Sequence, residues 1–128
     1  MTRGSSWLAT GARILFWAAL LFALVMSLLP QPPVLPMQPT DKVQHMLAFG
    51  TLTLLLSIGW PRLAWWSTAI VMGIFGALIE AAQWALPTLN RVADVQDWYA
   101  DMIAVGAVLL VLGLIRSGRN RRDPEPAE

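Results

Sequence analysis

The sequence predicts an all-α, polytopic membrane protein with four spanning helices, on three observations. Of its 128 residues, 56% are hydrophobic and only 13% charged, where a soluble domain carries roughly 25% charged. The mean hydropathy is +0.56. A soluble domain this small has too much surface per volume to hide that much apolar area, whereas a bilayer accepts it. The apolar residues also fall in four long runs with no period-two alternation, which rules out strands. Finally, arginine collects on one side of the fold if the runs alternate across a membrane.

The first span is predicted over residues 12–29, closed by Pro30 and the proline-rich stretch 31–36. Arg3 and Arg13 stand before and at its start, as basic residues do in a signal peptide. The residues that follow (Ser27-Leu28-Leu29-Pro30-Gln31) lack a small-x-small cleavage pattern, so the segment reads as an uncleaved helix. The second span covers 43–60, with Thr40 or Asp41 as N-cap and Gly59-Trp60-Pro61 as its end. The third covers 63–86 and stops at Pro87, and the fourth covers 97–115. Each approaches the ~20 residues that cross a ~30 Å hydrocarbon core. The tail 118–128 is charged, contains Pro124 and Pro126, and reads as disordered.

Of the nine Lys and Arg residues, all but Lys42 and Arg91 lie on one side of these spans. The positive-inside rule therefore places both termini and the Pro61-Arg62 loop in the cytoplasm. Trp60, Trp65 and Trp66 then mark the inner interface, and Trp84, Trp98 and Tyr99 the outer one, as aromatic belts do. The run Arg119-Asn120-Arg121-Arg122 reads as an anchor to anionic lipid and not as a nucleic-acid site. With no cysteine, disulfides, thiolate catalysis and Cys-based zinc sites are excluded. The expected architecture is one domain, a membrane four-helix bundle.

Folding the chain this way gathers distant polar residues at the outer ends of the helices. Asp41, Lys42, Gln44 and His45 open the second helix, and Glu80 and Gln83 sit one to two turns below the end of the third. Arg91 and Asp94 occupy the following loop, with Asp97 and Asp101 in the first turns of the fourth helix. At 1.5 Å per residue, Glu80 lies roughly 9 Å beneath Leu86. Ionisable groups at depth cost a few kcal/mol, which makes them functional candidates. Gly73, Gly76, Glu80 and Gln83 share one helical face, with Ala77 and Ala81 beside it, so a neighbouring helix can approach closely and Glu80 should point away from lipid.

The series Asp41-Lys42-x-x-His45, Glu80-x-x-Gln83, Arg91, Asp94, Asp97 and a polar residue at 101 resembles, in this order across the last three spans, the VanZ-like family. These are small bacterial membrane proteins whose founding member is linked to resistance to the glycopeptide teicoplanin. The likeness covers about residues 41–113. It departs from the family pattern of Asp-x-x-x-Asn followed by glycine three residues on, since Asp101 and Ala104 stand at those positions. The resemblance implies a multi-pass protein of the bacterial cytoplasmic (inner) membrane.

Each candidate has a functional and a structural reading. Glu80 and His45 are the candidate catalytic acid and base. Structurally, Glu80 would hydrogen-bond a neighbouring helix, and His45 would cap its own helix or pair with Asp41. Arg91 can hold a phosphate or carboxylate, or pair with Asp94, which is the expectation here. His45, Glu80, Asp97 and Asp101 are candidate ligands of a divalent metal, although Asp97 is also explained by the positive end of a helix dipole. Asp41, Lys42, His45, Glu80, Gln83, Arg91, Asp94, Asp97 and Asp101 together form a candidate substrate-binding vestibule.

The expected partners are the lipid bilayer and a lipid-linked cell-wall precursor, another head group or a glycopeptide; no nucleic acid is expected. The alternatives are a membrane hydrolase or transferase, metal- or acid/base-dependent, and a structural or partner-binding subunit. No nucleophilic-serine motif, P-loop or His-Glu-x-x-His stretch supports an enzyme. Transport is disfavoured by four short helices without an inverted repeat, which an oligomer would change.

Overall fold

The computed structural model describes residues 3–30 and 41–122, and the side chains of residues 6–30 and 42–121. Within these residues the chain is all-helical: α1 (Arg3–Leu28), α2 (Asp41–Gly59), α3 (Trp65–Ala85), a 3-10 turn (Pro87–Leu89) and α4 (Val95–Arg122). Proline sets the boundaries, because the residue before it avoids the helical region. Thus α2 ends ahead of Trp60-Pro61 and α3 ahead of Leu86-Pro87. Asn90, at φ 51°, turns the chain toward α4 in the left-handed conformation that asparagine tolerates.

Two helices outrun their apolar runs. α1 begins at Arg3 instead of near residue 12, and α4 continues through Arg122. Residues 118–122 are therefore helical, which corrects the expectation of disorder there. A helix need not stop where its apolarity does, and no proline interrupts 116–122. Gly118 costs that turn only about 1 kcal/mol against alanine. Thr40, the proline-rich stretch 31–36 and residues 123–128 of the tail lie outside the described residues.

Three helices are long and apolar enough to cross a membrane: residues 6–28, Trp65–Ala85 and 95–121. Only 11–22% of each is buried within the protein, and Ile14, Leu21, Phe22, Ile74, Leu78, Ile103 and Leu110 project outward. So large an apolar surface needs lipid or a partner. α2, at 19 residues, is about 28 Å long but more polar. It packs most extensively on α4 and α1, and a helix so covered by protein has less need of an apolar surface.

The core is built on α2. Phe49, Leu52 and Leu56 form one stripe and meet Phe16 and Ala23 of α1, Met72 and Ile79 of α3, and Val105 of α4. The Thr53 hydroxyl, fully buried there, donates to the Phe49 carbonyl at 2.7 Å. The glycine face of α3 receives α4 through Trp98. The Trp98 indole N–H donates to the Gly73 carbonyl at 3.0 Å, and a Cβ on Gly76 would lie 3.1 Å from the Trp98 ring and 3.4 Å from Phe49. Trp98 therefore packs between α3 and α4, a role beyond the interfacial one expected from the sequence. Ala77 and Ala81 are exposed, so the close-approach strip is narrower than the sequence suggested.

Candidate functional site

α1 and α3 end, and α2 and α4 begin, at one end of the molecule, and there the polar side chains fall into two groups. One group fastens α1. The Gln83 amide donates to the Ser27 carbonyl at 2.9 Å. Arg91 donates from Nε to the same carbonyl at 3.3 Å and from Nη2 to that of Met26 at 3.0 Å. These are carbonyls of the last turn of α1, left without helical partners and at the negative end of its dipole. The expected Arg91–Asp94 pairing is not what forms. Arg91 turns to α1, where uncapped carbonyls await a donor, and Asp94 takes Lys42.

The second group joins α2, α3 and α4. Lys42 Nζ lies 3.3 Å from both Asp94 Oδ2 and Asp97 Oδ1. Asp94 is also the N-cap of α4: its Oδ1 accepts the Gln96 backbone N–H at 2.8 Å. That bond, with the Lys42 ammonium beside it, holds the Asp94 carboxyl below its usual value. Glu80 Oε2 accepts the Asp94 backbone N–H at 2.8 Å, so α3 secures the start of α4 through a half-buried carboxylate. Glu80 thus faces protein, as its glycine-sharing face implied.

Deeper in, His45 Nδ1 stands 3.5 Å from Asp101 Oδ1. Asp101 is 1% exposed. Its buried Oδ1 has no well-aligned hydrogen bond, and His45 at 3.5 Å is its ion-pair partner. Such an atom is rare, because a buried polar group that is left unpaired costs roughly 1–3 kcal/mol. Glu80 and Asp97 add their fields at His45. The cluster therefore sets four carboxylates (Glu80, Asp94, Asp97 and Asp101) against Lys42 and His45.

The four candidate metal ligands do not assemble. Among the described residues no group of three or more His, Asp or Glu side chains is placed to hold a metal ion, because Glu80, Asp97 and Asp101 are directed to different partners. Asp41 opens α2, and its side chain lies outside the described residues.

At the opposite end, Arg13 repeats the role of Arg91. Its Nε donates to the Gly59 carbonyl at 2.7 Å, and its guanidinium lies 5.5 Å from the centre of the Trp60 ring, within cation–π range. Sequence reasoning missed both capping arginines. Arg13 lies well inside α1 and Arg91 in the loop between α3 and α4, so neither carried a capping signal in the sequence.

Fold and site together define an all-helical protein with a membrane-type surface and a polar cluster at one end. Comparison with protein-family models, curated proteins and solved structures finds no match.

Proposed function

We propose that this chain is a four-span protein of the bacterial cytoplasmic membrane, of the VanZ-like type, whose outward polar cluster binds the head group of a lipid-linked cell-wall precursor or a glycopeptide such as teicoplanin. α2 is the fourth span over 43–60, both termini are cytoplasmic, and the cluster faces outward. The arginine asymmetry and the length of α2 support this topology. The central observation is Asp101, a wholly buried carboxylate whose Oδ1 has no hydrogen bond and faces His45. A carboxylate kept only to fasten helices would have both oxygens hydrogen-bonded, since a buried charge with incomplete hydrogen bonding opposes folding. The excess of carboxylates favours a ligand bearing an ammonium or several N–H and O–H donors over a bare phosphate.

A second reading rests on the same pair. A closer approach of Asp101 to the His45 Nδ1, 3.5 Å away, would orient the imidazole as the acid of a catalytic triad does, making His45 a general base and the protein a hydrolase or transferase.

Glu80→Gln tests the binding reading. The amide oxygen can still accept the Asp94 N–H, so the fold stays while the charge is removed. The variant should melt within a few degrees of wild type, yet lose binding of lipid-linked precursor or teicoplanin in nanodiscs and any change in teicoplanin susceptibility on expression. Full retention of both would leave Glu80 as helix glue and remove the proposal's support. Release of a cleaved product from the precursor by wild type, abolished in His45→Gln, would establish the enzymatic alternative.

A further inference from the structure

We infer that a second site, remote from the polar cluster, holds one acyl chain of an anionic phospholipid in a groove between α3 and α4 at the arginine-rich end. The inference requires only that the chain crosses a bilayer, and is independent of the head-group reading above. The two helices meet closely at Gly73, Gly76 and Trp98. They also leave a groove of about 640 Å³, within the ~300–1,000 Å³ of ordinary ligand sites. Met102, Val105 and Leu109 form its apolar wall, and Gly106 and Gly113 also line it. Both glycines have open space where a Cβ would stand, and at a seven-residue spacing they share one helical face.

The groove runs along α4 from Met102 to Arg116, about 21 Å at 1.5 Å per residue, against the ~15 Å half-thickness of a hydrocarbon core. It can thus take one chain from the interface past the midplane. Ser57, Thr68, Arg116 and Ser117 bring the hydroxyls and the charge to its lining; Ser57 and Thr68 are buried, Arg116 and Ser117 are exposed, and the Arg116 guanidinium has no hydrogen bond or ion pair among the described residues. A cation beside an apolar channel complements a phosphate above an acyl chain. Arg119 and Arg121, exposed one turn further, draw the same anionic surface. A zwitterionic lipid fits the channel but offers less net charge to Arg116.

Delipidated full-length protein in detergent, titrated with dioleoyl-phosphatidylglycerol or dioleoyl-phosphatidylcholine and read by native mass spectrometry, tests this. Wild type should hold one phosphatidylglycerol per chain, about fivefold tighter than phosphatidylcholine, the factor that one basic side chain gives at an anionic surface. Arg116→Gln should bring the two lipids to equal affinity, while Arg62→Gln, at the same end but outside the groove, keeps the preference. Gly106→Leu, which has room for its side chain and removes a helix-weakening glycine, should weaken both lipids at least tenfold with an unchanged melting curve. Gly113→Leu repeats the test should Gly106→Leu not fold. Equal affinities in wild type, loss of preference in Arg62→Gln, or undiminished binding in both glycine variants would overturn the site. A dimer abolished by Gly106→Leu, with no lipid retained, would also overturn it and assign the groove to a second copy of the chain. Glu80→Gln should bind phosphatidylglycerol like wild type, separating this site from the polar cluster.

Discussion

Asp101 shows how one residue sets the balance between stability and use. Its carboxylate is buried beside His45 with one oxygen lacking a hydrogen bond, an arrangement that opposes folding. Asp101→Asn removes the charge, keeps the volume and can donate to the imidazole. It is expected to stabilise the protein by about 1 kcal/mol while reducing head-group binding, the usual trade where a strained site serves function. Chemical denaturation in detergent beside a binding titration checks both halves. A variant that is less stable and binds normally would mark Asp101 as structural. The identities of Glu80, His45 and Asp101 as unusual groups were legible in the sequence, because charge at depth is conspicuous. Their partners were not. Arg91 reaches Met26 across 65 residues, and helical spacing carries no information about contacts between helices so far apart in the chain.

At the scale of elements, the start of α4 and the glycine face of α3 carry the most testable consequences. The face was legible because Gly73, Gly76, Glu80 and Gln83 repeat at helical spacing. What fills it was not, since Trp98 sits where an interfacial tryptophan would also sit. A side chain on Gly76 meets Trp98 at 3.1 Å and Phe49 at 3.4 Å, the first half-buried between helices and the second buried in the core. Gly76→Leu should therefore cost about 1–3 kcal/mol, the range for overpacking, whereas the same change at Gly106 should be tolerated. Unequal melting temperatures in one detergent would confirm the contrast, and equal ones would contradict it.

The N-cap adds a pH dependence with a definite sign. The Asp94 carboxyl is held below its usual value by the Gln96 N–H and Lys42. A depressed folded-state value contributes stability above the unfolded aspartate value of about 3.9, lost as pH falls through the lower folded value. Hydrogen exchange of the Gln96 amide, with intrinsic rates removed, should rise as pH falls through that lower value. Asp94→Ala should abolish that acid step and destabilise the start of α4 through the lost cap.

Over the whole molecule, the opposition of its two ends organises everything else. One end carries the carboxylates, Lys42 and His45; the other carries Arg13, Arg62, Arg116, Arg119 and Arg121. This was legible because the apolar runs are long and the arginines few. The helices that overrun those runs, and the capping duties of Arg13 and Arg91, were not, since both depend on the packed backbone. The absence of cysteine makes the opposition directly measurable. Thr88, exposed in the turn beside the polar cluster, and Asn120, exposed near the end of α4, can each be changed to cysteine in an otherwise unreactive chain. On intact cells, a membrane-impermeant maleimide should label Thr88→Cys at once and Asn120→Cys only after the membrane is opened. Labelling of Asn120→Cys on intact cells, with Thr88→Cys protected, would turn the molecule over and contradict an outward-facing site.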